Sequence, residues 1–214
     1  MLQYHIIPVT PFQQNSTLIW CDNTMEGAII DPGGEVERLL TTAQQLGVKL
    51  TKILLTHAHL DHAGGTEELA RRQKLTVEGP HREDQFWIDL FPQQVQRFGF
   101  EPVEAFATDR WLEDGDTVSL GDETLEVYFC PGHTPGHVIF FHRATKLAQV
   151  GDVLFRGSIG RTDFPRGNQQ QLIDSIKTKL WPLGDDVQFI PGHGPMGTFG
   201  EERASNPFVG EGVR

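Results

Sequence analysis

Thr56-His57-Ala58-His59-Leu60-Asp61-His62 sets four metal-ligand side chains within six positions, directly after the almost wholly apolar run Lys52–Thr56. A string of the form HxHxDH arises by chance in roughly one chain in a thousand of this composition. The run before it reads as a strand buried on both faces. Gly64-Gly65 then frees the backbone before the next helix. Ligands clustered on a strand-to-helix loop need a rigid frame beneath them, so the chain must fold around sheets whose ends carry the chemistry.

Three further ligand types occupy equivalent places. His133 follows the strand expected over Thr124–Cys130, Asp152 follows Leu147–Gly151, and His193 follows Val187–Ile190. Gly132, Gly151 and Gly192 precede them and permit close backbone approach. Imidazole nitrogens and carboxylate oxygens are donors that zinc, iron and manganese share. Any one of these histidines alone reads as a strand cap or a hydrogen-bonded core residue. Seven such side chains at four strand ends read as a metal site. His137 sits four residues after His133, but Pro135 and Gly136 break any helix that would align the two. It is read as a supporting or strand residue. Asp31 and Thr56 are read as partners for ligand imidazoles. His5, His81 and His142 are expected on the surface.

Elsewhere the pattern predicts strands over Leu2–Val9, Ser16–Cys21 and Gly27–Asp31, then a helix carrying Val36, Leu39, Leu40, Ala43 and Leu46 and stopped by Gly47. Helices are expected over Glu67–Gln73, Glu83–Leu90 and Gln169–Leu180. Strands are expected over Thr117–Leu120, Val138–Phe141 and Leu147–Val150, with a Pro/Gly-rich tail at the end. No low-complexity linker interrupts the 214 residues, so a single domain over 1–214 is expected. Phe86, Trp87, Phe91 and Phe98 read as core aromatics rather than as the lip of a pocket.

Charge and composition exclude some partners. With 18 basic and 29 acidic residues the net charge is −11, the wrong sign for a nucleic-acid surface. No run of about 18 apolar residues offers a membrane helix. The N-terminal MLQYHIIPVTPF lacks the basic flank and long apolar core of a secretory signal. Cys21 and Cys130 therefore read as free thiols of a cytoplasmic protein. Oligomeric state stays open.

THAHLDH at 56–62, PGHTPGH at 131–137, GDVLF at 151–155 and PGHGP at 191–195, in that order, resemble the metallo-β-lactamase superfamily. The resemblance runs from Asp31 to Pro195. It implies an α+β fold, a four-layer αββα sandwich with a metal site at one edge of its two sheets. It further implies two divalent ions, zinc first and iron or manganese as substitutes. One would be held by His57, His59 and His133, the other by Asp61, His62 and His193, with Asp152 and a hydroxide bridging them. Paired cations bring a shared water towards neutral pKa, and Asp61 can orient it and shuttle a proton.

Within the superfamily, Asp152 points away from β-lactamases, which generally lack a bridging carboxylate. His59 points away from diiron flavoproteins, which carry a glutamate there. The match is best with short bacterial proteins like glyoxalase II, the hydroxyacylglutathione hydrolases. That implies a small-molecule thioester substrate such as S-D-lactoylglutathione. Only 21 residues follow His193, so the helical region that holds the glutathione carboxylates in longer glyoxalase II enzymes has no counterpart. Gly160-Arg161-Thr162-Asp163-Phe164 resembles the persulfide dioxygenase branch, and a mononuclear-iron dioxygenase is the alternative reading. Arg156, Arg161 and Arg166 follow Asp152 within 14 residues. They can hold a substrate carboxylate or form a solvated, ion-paired loop, and both readings stay open.

Overall fold

Successive residues of a strand face opposite sides of a sheet, and in a computed structural model of the protein, which describes residues 1–212, both sides are covered. One sheet has the order β1-β2-β3-β4-β5, from Leu2–Val9, Gln14–Cys21, Glu26–Ile30, Lys49–Leu54 and Thr76–Glu78. β1, β2 and β3 pair antiparallel, whereas β3, β4 and β5 run parallel. The parallel steps are made by α1 (Val36–Gln45) and by the pair α2 (Leu60–Ala63) and α3 (Thr66–Gln73), as parallel connections require.

α4 (Gln85–Asp89) and α5 (Phe91–Phe98) lead to a second sheet. Its strands are β6 (Thr117–Leu120), β7 (Glu123–Phe129), β8 (Val138–His142) and β9 (Leu147–Gly151). A small hairpin of β10 (Leu154–Phe155) and β11 (Ser158–Ile159) and the helix α6 (Gln169–Ser175) come next, then β12 (Gln188–Pro191), β13 (Gly197–Thr198) and α7 (Phe199–Ser205). The sheet order is β13-β12-β9-β8-β7-β6.

Three apolar layers hold these elements together. Ala28, Ile30 and Leu54 of the first sheet meet Val127, Val138 and Phe140 of the second in the middle layer. Ile29 and Ile53 face outward against Val36, Leu39 and Leu69 of the helices. Ile139 and Phe141 face the other way, against Leu172, Ile176 and Phe199. The result is the expected αββα sandwich. It explains why β3 and β8 read as continuous apolar runs, since each serves two cores.

Several boundaries differ from the sequence expectation. Glu83–Leu90 is not one helix: a 3₁₀ turn at Arg82–Asp84 precedes α4, and α5 starts anew because Pro92 occupies its first turn. Past Ser175, Gln169–Leu180 widens into a π-helical turn at Ile176–Leu180. The tail forms β13 and α7, whose N-cap Thr198 accepts a hydrogen bond from Glu201 N–H. His142 is not on the surface. It is 3% exposed, because Glu123 on the neighbouring hairpin and Thr145 both bond its ring. His81 is half-buried and bonds Glu113; His5 is exposed as expected.

Candidate metal centre

The seven donors lie where the two sheets share an edge. β4 ends at Leu54, and Thr56 then accepts a hydrogen bond from Val138 N–H of β8 at 2.8 Å, tying the loop of His57 to the second sheet. His59 is the N-cap of α2, which places Asp61 and His62 on its single turn. The loop of His193 is tied to the first sheet instead. Asn15 N–H donates to the Gly192 carbonyl at 2.7 Å, and its side-chain amide donates to Pro191 and Gly194 at 3.0 and 2.9 Å. Gly192 is obligatory there, because a Cβ would lie 2.1 Å from Asp152 Oδ1. Gly132 serves a different end: its φ of 137° lets α6 approach, and a Cβ would strike the backbone of Leu172 at 2.4 Å.

Six of the donors form two trios, while Asp31 groups as closely with His57 and His62. One ligand atom each from His57, His59 and His133 lies within 4.8 Å of the others, and the same holds for Asp61, His62 and His193. Asp152 stands between them. Its Oδ1 is 3.3 Å from His62 Nε2, while Oδ2 is 3.4 Å from His133 Nε2 and 3.8 Å from His193 Nε2. Asp61 Oδ2 is 3.1 Å from His193 Nε2.

His62 Nδ1 faces the Asp31 carboxylate at 3.0 Å, and His193 Nδ1 faces the carbonyl of Phe12 at 3.0 Å. Both partners only accept, so both Nδ1 atoms carry a hydrogen, and in the neutral rings that a metal requires both Nε2 atoms are lone pairs. Those lone pairs oppose each other at 3.3 Å. The carbonyl of Arg161, 2.7 Å from His133 Nδ1, fixes that ring in the same sense. Thr56 Oγ1 donates to Asp31 Oδ2 at 2.6 Å and so accepts from His57 Nδ1 at 3.0 Å. His57 Nε2 is then a buried lone pair with no hydrogen-bond partner, as is Asp152 Oδ1. Lone pairs and carboxylates packed together out of water need positive charge among them. The donor set fits divalent cations.

Protonation follows the same logic. Burial, reinforced by the neighbouring imidazoles, pushes His57 and His59 well below the ordinary imidazole range, for His59 against the pull of Asp61 and Asp152. Burial also pulls on His62, but Asp152 and Asp61 outweigh it and hold that ring well above the range. A proton thus takes at His62 the place a metal would take. Asp152 is held far below the carboxylate range: burial opposes ionisation, and His62 and His133 overcome it.

Supporting residues are as buried as the donors. Asp31, with φ at 50°, accepts from Thr56 N–H, the Thr56 hydroxyl and His62. Its oxygens are already engaged, so it orients ligands from both trios rather than joining either. His137 stacks on His57 with ring centroids 4.6 Å apart and accepts from Asp152 N–H at 3.1 Å.

Two supports had no sequence signal. Asp84 accepts from Ala58 N–H, Thr134 Oγ1 and Gly136 N–H at 2.9, 2.9 and 2.6 Å, joining the loops of His59 and His133. Burial raises its carboxyl to about 7 despite these donors. Gln94 of α5 accepts from Leu60 N–H at 3.0 Å and donates to the Trp87 carbonyl.

Above the donors opens a cavity of about 870 Å³, lined by His59, Asp61, His133, Asp152 and His193 together with aromatic side chains. Phe91 is core and Phe86 packs against it. Trp87 is core as well, with one side lining the cavity and meeting His59 edge-on at 4.5 Å, whereas Phe98 is exposed and lines the cavity instead. Of the three arginines, only Arg161 lines it. Its guanidinium grips Asp163 at both oxygens and lies 4.3 Å above Phe164. Arg166 pairs with Glu83 over Phe86, and Arg156 is exposed and does not line the cavity.

The family model of the metallo-β-lactamase superfamily matches residues 9–193. The chain belongs to that superfamily. A relative from Haemophilus influenzae, hydroxyacylglutathione hydrolase GloC, is 48% identical over 97% of this chain and 98% of its own length. Among solved structures, the B3 metallo-β-lactamase BLEG-1 superposes with a TM-score of 0.89 at 33% identity, covering 97% of this chain and 99% of that one. TTHA1623, solved in a di-iron-bound form, gives a TM-score of 0.86 at 35% identity over 95% and 99%. As a superfamily member the protein is a metal-dependent hydrolase, and its His/Asp clusters have the donor chemistry for divalent metal. No helix among the described residues is long and apolar enough to cross a membrane.

Proposed function

We propose that the chain is a dinuclear thioesterase of the hydroxyacylglutathione hydrolase type. His57, His59 and His133 would hold one ion and Asp61, His62 and His193 the other, with Asp152 within reach of both trios. The observation that carries this reading is the placement of Asp152, whose two oxygens face donors of different trios. Two ions bound there supply an activated water and polarise the thioester carbonyl. Asp61, which lines the cavity beside His193, orients that water and accepts its proton. A departing thiolate needs little protonation, so Asp61 is the only proton-transfer group required.

Zinc is the first choice of metal, with iron or manganese compatible with the same donors. The similarity to GloC supports a glutathione thioester as the small-molecule substrate. Ion pairing at Arg161 and Arg166 favours the structural reading of that loop. Three apolar cores sharing two sheets support one domain, and buried free thiols at Cys21 and Cys130 suit a cytoplasmic setting.

The test is metal content measured beside hydrolysis of S-D-lactoylglutathione. Two equivalents and turnover are expected, with turnover lost in His57→Ala and Asp152→Ala. A metal-replete protein that leaves every thioester intact refutes the reading. One iron per chain with oxygen uptake on glutathione persulfide replaces it with the dioxygenase.

A further inference from the structure

Three of the large apolar side chains that the fold leaves exposed gather at the cavity that holds the metal donors. Phe12, Phe98 and Phe208 are 47%, 39% and 43% exposed, and all three line it. They come from distant segments: the turn between β1 and β2, the end of α5, and the stretch after α7. Phe12 meets Phe98 and Phe100 edge-on, with ring centroids 6.0 and 5.4 Å apart. Leu90 and Phe155 extend the apolar wall.

Single exposed aromatics are ordinary, but several converging on one concave site mark a surface kept open for a ligand. A lactoyl group, with a methyl and a hydroxyl, is too small and too polar to cover these rings in a cavity of about 870 Å³. Cationic groups on the wall are few. Arg161 is committed to Asp163, whereas Arg97 lines the same cavity with its guanidinium 5.5 Å over the Phe98 ring, and its charge reaches Asp163 without forming an ion pair among the described residues.

We infer that this site takes thioesters whose acyl group is an apolar chain or ring, in preference to lactoyl, while Arg97 receives a carboxylate of the thiol. The inference rests on the thioesterase reading and specifies its substrate class. Water adds its oxygen to the acyl carbon, the C–S bond breaks, and a fatty or aromatic carboxylate, a thiol and one proton leave.

The experiment compares kcat/KM of the metal-replete protein on S-lactoyl-, S-butyryl-, S-hexanoyl- and S-octanoylglutathione. Complete burial of a methylene is worth about fourfold; partial burial at an open mouth should give roughly twofold per methylene, so octanoyl exceeds lactoyl at least about tenfold. In the double variant Phe98→Ala/Phe208→Ala the octanoyl-to-lactoyl ratio should fall at least about fivefold. A ratio within one protein cancels any loss of folded enzyme. Lactoyl turned over as well as octanoyl, or a ratio the double variant leaves unchanged, overturns the inference.

A binding arm separates the two readings. Calorimetry with the uncleavable thioethers S-methyl- and S-octylglutathione should show affinity rising at least about tenfold with chain length. Equal affinities overturn the acyl preference. Absence of hydrolysis alongside chain-length-dependent binding refutes the thioesterase and leaves the apolar subsite standing.

Discussion

The floor of the cavity and its mouth are built by opposite rules. On the floor, each ring whose hydrogen is fixed has that hydrogen set by a second residue: His62 by Asp31, His57 by Thr56, His133 by the Arg161 carbonyl, His193 by the Phe12 carbonyl. At the mouth, Phe12, Phe98 and Phe208 stand in solvent on loops and helix ends, and Arg97 has no ion-pair partner among the described residues. The floor is over-determined and the mouth under-determined. This division suits an enzyme whose chemistry is fixed by its frame and whose substrate is chosen by side chains the fold does not depend on.

Substitutions should separate the two regions. The largest effect belongs to Asp152→Ala, which removes the carboxylate shared by both trios. Thioester kcat/KM should drop at least about a thousandfold, the several kcal/mol that metal activation supplies, and elemental analysis should find fewer than two equivalents. Next comes Asp31→Ala, which touches no proposed ion yet releases His57 and His62. Metal affinity in a chelator competition should weaken roughly 10–100-fold. If it stays unchanged, the hydrogen-bonded floor is ornamental and the contrast fails.

Acidification gives a graded version of the same test. Asp152 and Asp61 hold His62 above its ordinary range against the pull of burial. A raised value means the proton is held more tightly, so metal must displace it, and affinity should fall as pH falls. The expected slope is about tenfold per pH unit for each proton displaced, because the proton on His62 is held more tightly than on an ordinary imidazole. A flat profile between pH 6 and 8, a window taken as roughly the ordinary imidazole range, would contradict it. The smallest effect is expected at the mouth. Arg97→Gln should raise KM for a glutathione thioester roughly two- to fivefold, as an exposed charge pair allows, with kcat and metal content untouched. A fall in metal content would place Arg97 with the floor.

The same contrast describes what could be read from the sequence. The floor was legible because its donors are local strings at strand ends: four lie within six residues, and the others follow glycine after apolar runs. β1 and β6 have the expected bounds, since their apolar patterns are long or sharply closed by turns. Asp84 and Gln94 were not legible. Their importance comes from meeting Ala58, Leu60 and Thr134 across 26 to 50 residues of chain, and nothing in their own neighbourhood signals that.

The mouth was illegible for a similar reason, because three phenylalanines spread from position 12 to 208 form no pattern until the fold brings them together. α5 and α7 are a different case. Pro92 in the first turn with Gly99 at the left-handed end marks α5, and Thr198 three residues before Glu201 marks α7. These are ordinary start and stop signals, and the reading of a proline-rich tail and an aromatic core passed over them. His142 was misplaced because its burial depends on Glu123 across the hairpin rather than on its own strand.

Diffraction from metal-loaded crystals at the absorption edge of the bound element tests the central claim most directly. Two anomalous peaks are predicted, one within coordinating reach of His57, His59 and His133, the other of Asp61, His62 and His193, with Asp152 touching both. A single peak, or two that leave the oxygens of Asp152 unliganded, would contradict the account.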